Sequence, residues 1–376
     1  MAMASAMGLQ EGDPLNAVKV LALTKYARNG ASSRYRTFQY LPGLEQAGIH
    51  CHVMPLFDEA YLVHRYESGR GHSSDVLRAF LRRLGALATA RRFDLVVIEY
   101  ETLPYFPALP ERWLGLLGIP YVVDYDDALF HQYDQHKSRW VRHFLGEKIA
   151  RVMRSAQLVT VGNSYLADYA KRAGAMRVEI LPTVIDLERY PRAFAARPPN
   201  GPFTIGWIGS PSTAKYLQAI APALADVCAG GKGHVRLIGS GPIDLPGVPV
   251  ELLPWDETTE VSNMQQFDVG IMPLPDEPWA RGKCGFKLIQ YMACGLPVVA
   301  SPVGVNSEIV EHGVNGFLAT TPTNWIQALN ALLLDLDLRR RMGQAGRQKV
   351  EQEYSLQVTG PKLADLIKSA VGAGKG

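Results

Sequence analysis

Short apolar runs alternate with longer amphipathic segments from Val18 onward, the pattern of a parallel sheet covered by crossover helices. Val18 to Thr24 predicts the first strand. A Gly/Ser loop, Asn29 to Ser33, leads into a helix running to about Gln46, and Cys51 to Pro55 return as the second strand. Leu95 to Glu99, Tyr121 to Asp124, Leu158 to Val161 and Val178 to Leu181 complete a first α/β half. Pro191 to Pro202 is rich in Pro, Gly and Arg, has no periodicity, and reads as a linker. Beyond it the alternation restarts at Phe203 to Ile208, Val235 to Ile238, Val250 to Leu253, Val269 to Met272 and Pro297 to Ala300. A last helix, around Leu356 to Val371, follows the polar break at Gln352 to Ser355.

The predicted organisation is a leader (1–17), two Rossmann-like doubly wound domains (18–195 and 196–355), and a terminal helix (356–376) folding back onto the first domain. Open α/β sheets bind ligands outside the carboxyl ends of their strands, so two such domains place a ligand cleft between them. This pattern suits transferases, epimerases and two-lobed binding proteins equally. A length of 376 residues with 47% hydrophobic and 20% charged residues fits two packed domains. The net charge of +3 is too weak to make nucleic acid the main partner. No run approaches the roughly 18 apolar residues of a membrane span, and Met1 to Ala17 lacks the cationic start and apolar core of a signal peptide. The cysteines Cys51, Cys228, Cys284 and Cys294 form no C-x-x-C pair, so a reducing cytoplasm is the expected compartment.

Three loops carry candidate chemistry. In Gly285-Phe286-Lys287-Leu288, a small residue lets the backbone approach a ligand, and the amides of Phe286, Lys287 and Leu288 open a helix and face an anion. Lys283 and Lys287 add charge, and Gln290 lies on the same helical face, in reach of a ribose hydroxyl. The run GWIGSPSTAK, Gly206 to Lys215, follows a strand as a phosphate loop does. The third is DYDD, Asp124 to Asp127, where three carboxylates at a strand end call for compensation by hydrogen bonds, cations or pKa shifts.

The segment Pro273 to Leu318 resembles the nucleotide-sugar donor segment of glycosyltransferase family 4, the retaining family with the two-domain GT-B fold. It has a Pro after a strand, a Gly-Phe step opening a helix, Tyr-Met-Ala-x-Gly-x-Pro-Val-Val-Ala, and a later Asn-Gly-x-Leu. The resemblance implies a donor site of Gly30, Gly209, Ser210, Trp255, Lys283, Gly285, Phe286, Leu288 and Gln290. Ser33, Arg34 and Asp127 then fall on the acceptor side, and Asp126, Lys215 and Lys287 carry the catalysis. Two departures stand out. The family's Glu-x7-Glu pair corresponds to Gly282 and Gln290, and the Arg of its Gly-Arg-x-x-x-x-Lys loop corresponds to Ser210 before Lys215. Asp126 falls where many members carry an acceptor-side His, although Asp-x-Asp is also the metal motif of the other large glycosyltransferase fold. Trp255 suits base stacking and core packing alike. In NGASSRYR, Ser32, Ser33, Arg34 and Arg36 are expected as polar tips beside Gly30, with a capped helix and a surface arginine as the ordinary alternative.

The implied function is metal-independent, retaining transfer of a sugar from a nucleotide-sugar, UDP- or GDP-linked, to a glycan or lipid-linked acceptor in cell-envelope synthesis. No cofactor and no metal are expected. Epimerisation of a nucleotide-sugar and non-catalytic nucleotide-sugar binding are the alternatives. Leu77 to Arg92 and Arg139 to Arg154 are cationic and amphipathic, suited to an anionic membrane surface or simply to covering a sheet.

Overall fold

The computed structural model describes residues 17–61, 64, 73–191 and 201–373. The leader up to residue 16 and residues 192–200 of the predicted linker lie outside the described residues. The first sheet contains β1 (Val18–Leu23), β2 (Ile49–Val53), β3 (Leu95–Glu99), β4 (Tyr121–Tyr125), β5 (Leu158–Val161) and β6 (Val178–Ile180). The second contains β7 (Phe203–Ile208), β8 (Gly233–Ile238), β9 (Val250–Leu253), β10 (Val269–Met272), β11 (Val298–Ala300) and β12 (Gly316–Leu318).

Their orders are β2-β1-β3-β4-β5-β6 and β12-β11-β10-β7-β8-β9, with parallel pairing throughout. Every residue of β4, β5, β7 and β10 is buried, which is why these strands read as near-continuous apolar runs, broken only by Asp124, Thr160 and Thr204. The strand order reverses between β1 and β3 in one sheet and between β7 and β10 in the other. Crevices therefore open above Thr24 to Gly30 and Tyr100, and above Gly209.

Two elements depart from the sequence reading. The helix predicted to Gln46 is broken into Ala31–Arg36, a short 3-10 turn Phe38–Tyr40, and Leu41–Gln46. Thr37 leaves helical geometry at φ −125°, and Pro42 lacks the N–H that a continuous helix would need. β12 is an added edge strand of three residues, too short to announce itself by alternation.

Each sheet is covered on both faces. On one face of the first, Leu21, Ile98, Val123 and Val161 meet Leu114, Ile149 and Leu166. On the other, Val20, Leu95, Val122 and Leu158 meet Ala364, Ile367 and Val371 of the helix Leu356–Ala373. The second sheet is enclosed likewise, with Ile205, Val235 and Val299 on one side and Leu288, Tyr291 and Met292 on the other.

Candidate active site

β7 delivers Gly209, whose N–H donates to the Ile238 carbonyl at 3.0 Å. A Cβ on Gly209 would lie 2.7 Å from Lys287 Cε and equally close to the Trp207 ring, so a larger residue would push Lys287 off the loop. Ser210 starts the short helix Pro211–Ala214, with its Oγ 2.9 Å from Ser212 Oγ. Lys215 follows it, exposed, with Nζ 5.3 Å from the Tyr216 ring centroid.

Gly285 precedes the helix Phe286–Ala293 in the left-handed region, φ +64°. A Cβ there would meet Ile309 Cδ1 at 2.3 Å. Its smallness serves the backbone turn and the packing on Ile309, which corrects the expectation that it clears space for a ligand. The Leu288 N–H, expected to be free, donates to the Gly285 carbonyl at 2.9 Å. The Phe286 and Lys287 amides remain at the helix start without a backbone acceptor among the described residues. Lys287 is half-buried, its ammonium 5.4 Å from the Trp207 ring centroid. Burial, reinforced by Lys283 and opposed by Asp127, lowers its pKa to about 8.

The acidic turn after β4 uses all three kinds of compensation. Asp124 takes a bidentate contact from Arg36, with Nε at 2.8 Å, and the Thr160 hydroxyl at 2.6 Å. Asp126 accepts from the Tyr100 hydroxyl. Burial, then Asp127, raises its pKa to about 6 against the pull of Arg36. Asp127 pairs with Lys283 Nζ at 2.8 and 3.1 Å. Burial works against the Lys283 charge, but Asp127 and Asp126 outweigh it, so its pKa is raised. Lys283, expected among the diphosphate ligands, is thus already held by a carboxylate of the opposite domain. Among the described residues no three His, Cys, Asp or Glu side chains converge as metal ligands would.

Three further expectations need correction. Ser33, Arg34 and Arg36 are buried, not polar tips, because the helix Ala31–Arg36 turns them inward. Ser33 Oγ donates to Glu99 at 2.6 Å, and the Arg34 guanidinium lies 4.7 Å from the Trp255 ring centroid. Gly30 is demanded by Tyr26, whose Cβ would be 2.4 Å from an added Cβ, rather than by ligand approach. Trp255 is 38% exposed, donates from Nε1 to Glu260 at 2.9 Å and has the Arg34 guanidinium over its ring. Gln290 is only 4% exposed and donates to the Tyr190 hydroxyl at 3.1 Å, so it secures the start of the linker instead of facing a ribose.

The domains meet along two seams. Asn163 Nδ2 donates to the Gly282 and Lys283 carbonyls at 3.0 Å, Cys284 Sγ to the Asp126 carbonyl at 2.9 Å, and Ser164 to Glu308 at 2.7 Å. A Cβ on Gly282 would lie 2.4 Å from the Ala128 Cβ, so the glutamate absent from this position would collide with the acidic turn. In the second seam, Tyr35 packs on Phe286 with centroids 4.3 Å apart and donates to Glu260 at 2.8 Å. Sequence reasoning missed Asn163, Tyr35 and Glu260, since nothing local marks a side chain that bridges distant segments.

Two doubly wound domains closed over a cleft, with a cationic helix start on one side and an acidic turn on the other, define a GT-B architecture. Residues 17–183 match the family described as glycosyl transferase 4-like domain, and residues 202–335 match glycosyl transferases group 1. The chain belongs to this group 1, family 4 lineage of glycosyltransferases. It is 38% identical over 85 residues to the amylovoran biosynthesis glycosyltransferase AmsK of Erwinia amylovora, covering 22% of this chain and 20% of that one. The alignment with the spore coat protein SA of Bacillus subtilis, 33% identical, likewise spans only 20% of this chain and 21% of that protein. The structural likeness runs the whole length: the sucrose-phosphate synthase of Thermosynechococcus elongatus superposes with TM-score 0.69 at 17% identity, covering 95% of this chain and 100% of that one. Anabaena HepE in complex with UDP-glucose superposes at 0.67 and 17% identity, with 93% and 99% covered.

Proposed function

We propose that this protein transfers a sugar from a nucleotide-sugar donor to a hydroxyl acceptor with retention of configuration, in the synthesis of a cell-envelope polysaccharide or glycoconjugate. The observation that carries the reading is Lys287, a half-buried ammonium at a helix start, with two amides free of backbone acceptors and the Gly209 loop beside it. Such a group stabilises the negative charge that develops on a departing diphosphate, and it does so in a site from which closure excludes water. Lys215 supplies a second, exposed charge on the same side. Asp126, deprotonated above about pH 6, receives the acceptor's proton from the opposite wall. The diphosphate charge is met by lysines and amides, so no metal is required. A UDP-sugar is the first donor to try, because HepE is described in complex with UDP-glucose.

Membrane contact belongs to the same reading. Among the described residues no helix is long and apolar enough to cross a membrane. Trp140 and Phe144, 74% and 61% exposed, stack on the surface of the helix Arg139–Leu145 beside the exposed Arg139 and Arg142. Aromatic and cationic groups so paired suit an anionic headgroup layer on the cytoplasmic side, where a lipid-linked acceptor would be presented.

Thermal-shift titration with UDP, GDP, dTDP and ADP and their sugar conjugates, with and without EDTA, tests the donor site. A ligand at a hundred times its Kd stabilises by about 2.7 kcal/mol. An EDTA-insensitive shift with one nucleotide is expected. No shift with any of them removes the nucleotide-sugar reading, and a shift abolished by EDTA removes its metal-free form.

A further inference from the structure

β3 ends in Glu99, and the next residue, Tyr100, takes φ +63°. A bulky residue is strained in the left-handed region and remains there only where its surroundings over-determine it. They do so here. The Tyr100 N–H donates to the Asp124 carbonyl at 2.9 Å, and the Tyr125 hydroxyl donates to the Tyr100 carbonyl at 2.6 Å. The neighbouring Glu99 carboxylate accepts from Ser33 Oγ at 2.6 Å and from the Lys25 N–H at 3.0 Å, which fastens the Gly30 loop to the same strand end. The Lys25 ammonium lies 5.4 Å from the Tyr100 ring centroid. With ring and backbone fixed, and only 4% of the residue exposed, the phenol reaches Asp126, to which it donates, and lies 3.2 Å from Ser32 Oγ.

We infer that Tyr100 is a positioning residue: its hydroxyl, aimed by a strained backbone, sets the orientation of the Asp126 carboxylate and ties it to Ser32, so that the acidic turn and the Gly30 loop present one rigid acceptor wall. The inference rests on the acid–base reading of Asp126 for its functional meaning, but the coupling itself is measurable without an acceptor. One oxygen of Asp126 is committed to the phenol, which leaves the other to meet an incoming hydroxyl. The charged and titratable groups around this carboxylate are Asp127 and Asp124 of its own turn, Arg36 of the first helix, Glu99 and Tyr100 at the end of β3, and Lys283 and Cys284 across the cleft. Among them Tyr100 is the neutral hydrogen-bond donor to the carboxylate, and it favours the charged form.

Carboxyl-carbon NMR on aspartate-labelled protein tests this. The resonance missing from Asp126→Asn is assigned to Asp126, and its titration is compared in the parent and in Tyr100→Phe, which keeps the ring and loses the hydroxyl. The expected result is a midpoint raised by roughly one pH unit in Tyr100→Phe. Tyr125→Phe, which removes only the bond pinning the Tyr100 carbonyl, should raise it in the same direction by less, and it serves should Tyr100→Phe fold poorly. An unchanged midpoint in both variants overturns the inference. UDP release from UDP-glucose separates it from the functional reading: Tyr100→Phe should lower kcat with the affinity for UDP unchanged. An Asp126→Asn protein as fast as the parent would defeat the acid–base role while the NMR coupling stood.

Discussion

The acidic turn and the cationic helix start face each other across one cleft, yet they solve the problem of buried charge in opposite ways. Each carboxylate of Asp124, Asp126 and Asp127 already has a protein partner, namely Arg36, Tyr100 and Lys283. On the other wall Lys287 rests against an aromatic face, and Lys215 stands in solvent beside a tyrosine. Burying a charge is costly unless it is paired, and the cost shows in Lys287 as a lowered pKa. The carboxylates of one wall each have a hydrogen-bonded partner, whereas the ammonium of Lys287 on the other has only an aromatic face.

The contrast predicts where damage falls. Removing Arg36 leaves Asp124 as an uncompensated buried charge, so Arg36→Ala should destabilise the protein by about 3–5 kcal/mol in denaturant unfolding. An Arg36→Ala protein as stable as the parent would mean that the acidic wall does not depend on its pairing. Lys287→Ala should act oppositely, sparing stability and lowering kcat by about a hundredfold or more, as loss of one preorganised charge contact does.

A pH series sharpens the same comparison. Asp126 must be deprotonated and Lys287 protonated, so kcat/KM should rise through about pH 6 and fall through about pH 8. The share of stability that Lys287 controls runs the other way on the alkaline side. At this group the unfolded chain holds more of the proton than the folded one between about pH 8 and the ordinary lysine value, so the cost of burying its charge fades as donor affinity does. An alkaline change in unfolding stability that is the same in Lys287→Ala as in the parent would dismiss Lys287 as the responsible group.

Smaller effects separate the two remaining lysines. Asp127→Asn removes a charge that supports protonated Lys287, so the alkaline limb of kcat/KM should move downward while the seam to Lys283 loosens. Lys215→Ala, at an exposed site, should weaken nucleotide binding by roughly 1 kcal/mol or less in calorimetry. If Lys215→Ala matched Lys287→Ala in its loss, the exposed lysine would be the principal anion contact.

The strands were legible because buried parallel strands read as largely apolar runs, as in Tyr121–Tyr125, interrupted only by Asp124, and Phe203–Ile208, interrupted only by Thr204. The places of Gly209 and Gly285 were legible for a related reason: they stand at fixed offsets from strand and helix ends. What those glycines accommodate was not legible. Gly285 answers to Ile309 and Gly30 to Tyr26, contacts set by tertiary packing. Polar side chains misled most. Arg34, Arg36 and Gln290 look solvent-facing by type, but bury themselves on partners far along the chain: Trp255, Asp124 and Tyr190. The strain at Tyr100 leaves no trace in residue type, since tyrosine is an unfavoured occupant of that conformation.

The helix Leu356–Ala373 covers the first sheet although it follows the whole second domain, and the chain re-enters where the Leu356 N–H donates to the Ile185 carbonyl at 2.8 Å. The second domain is therefore an insertion within the first, contiguous from Phe203 to Tyr354. On the ribosome it can close its core before the terminal helix has been made. In the first domain Val20, Leu95, Val122 and Leu158 must wait for Ala364, Ile367 and Val371 until the chain beyond Ser355 has been made.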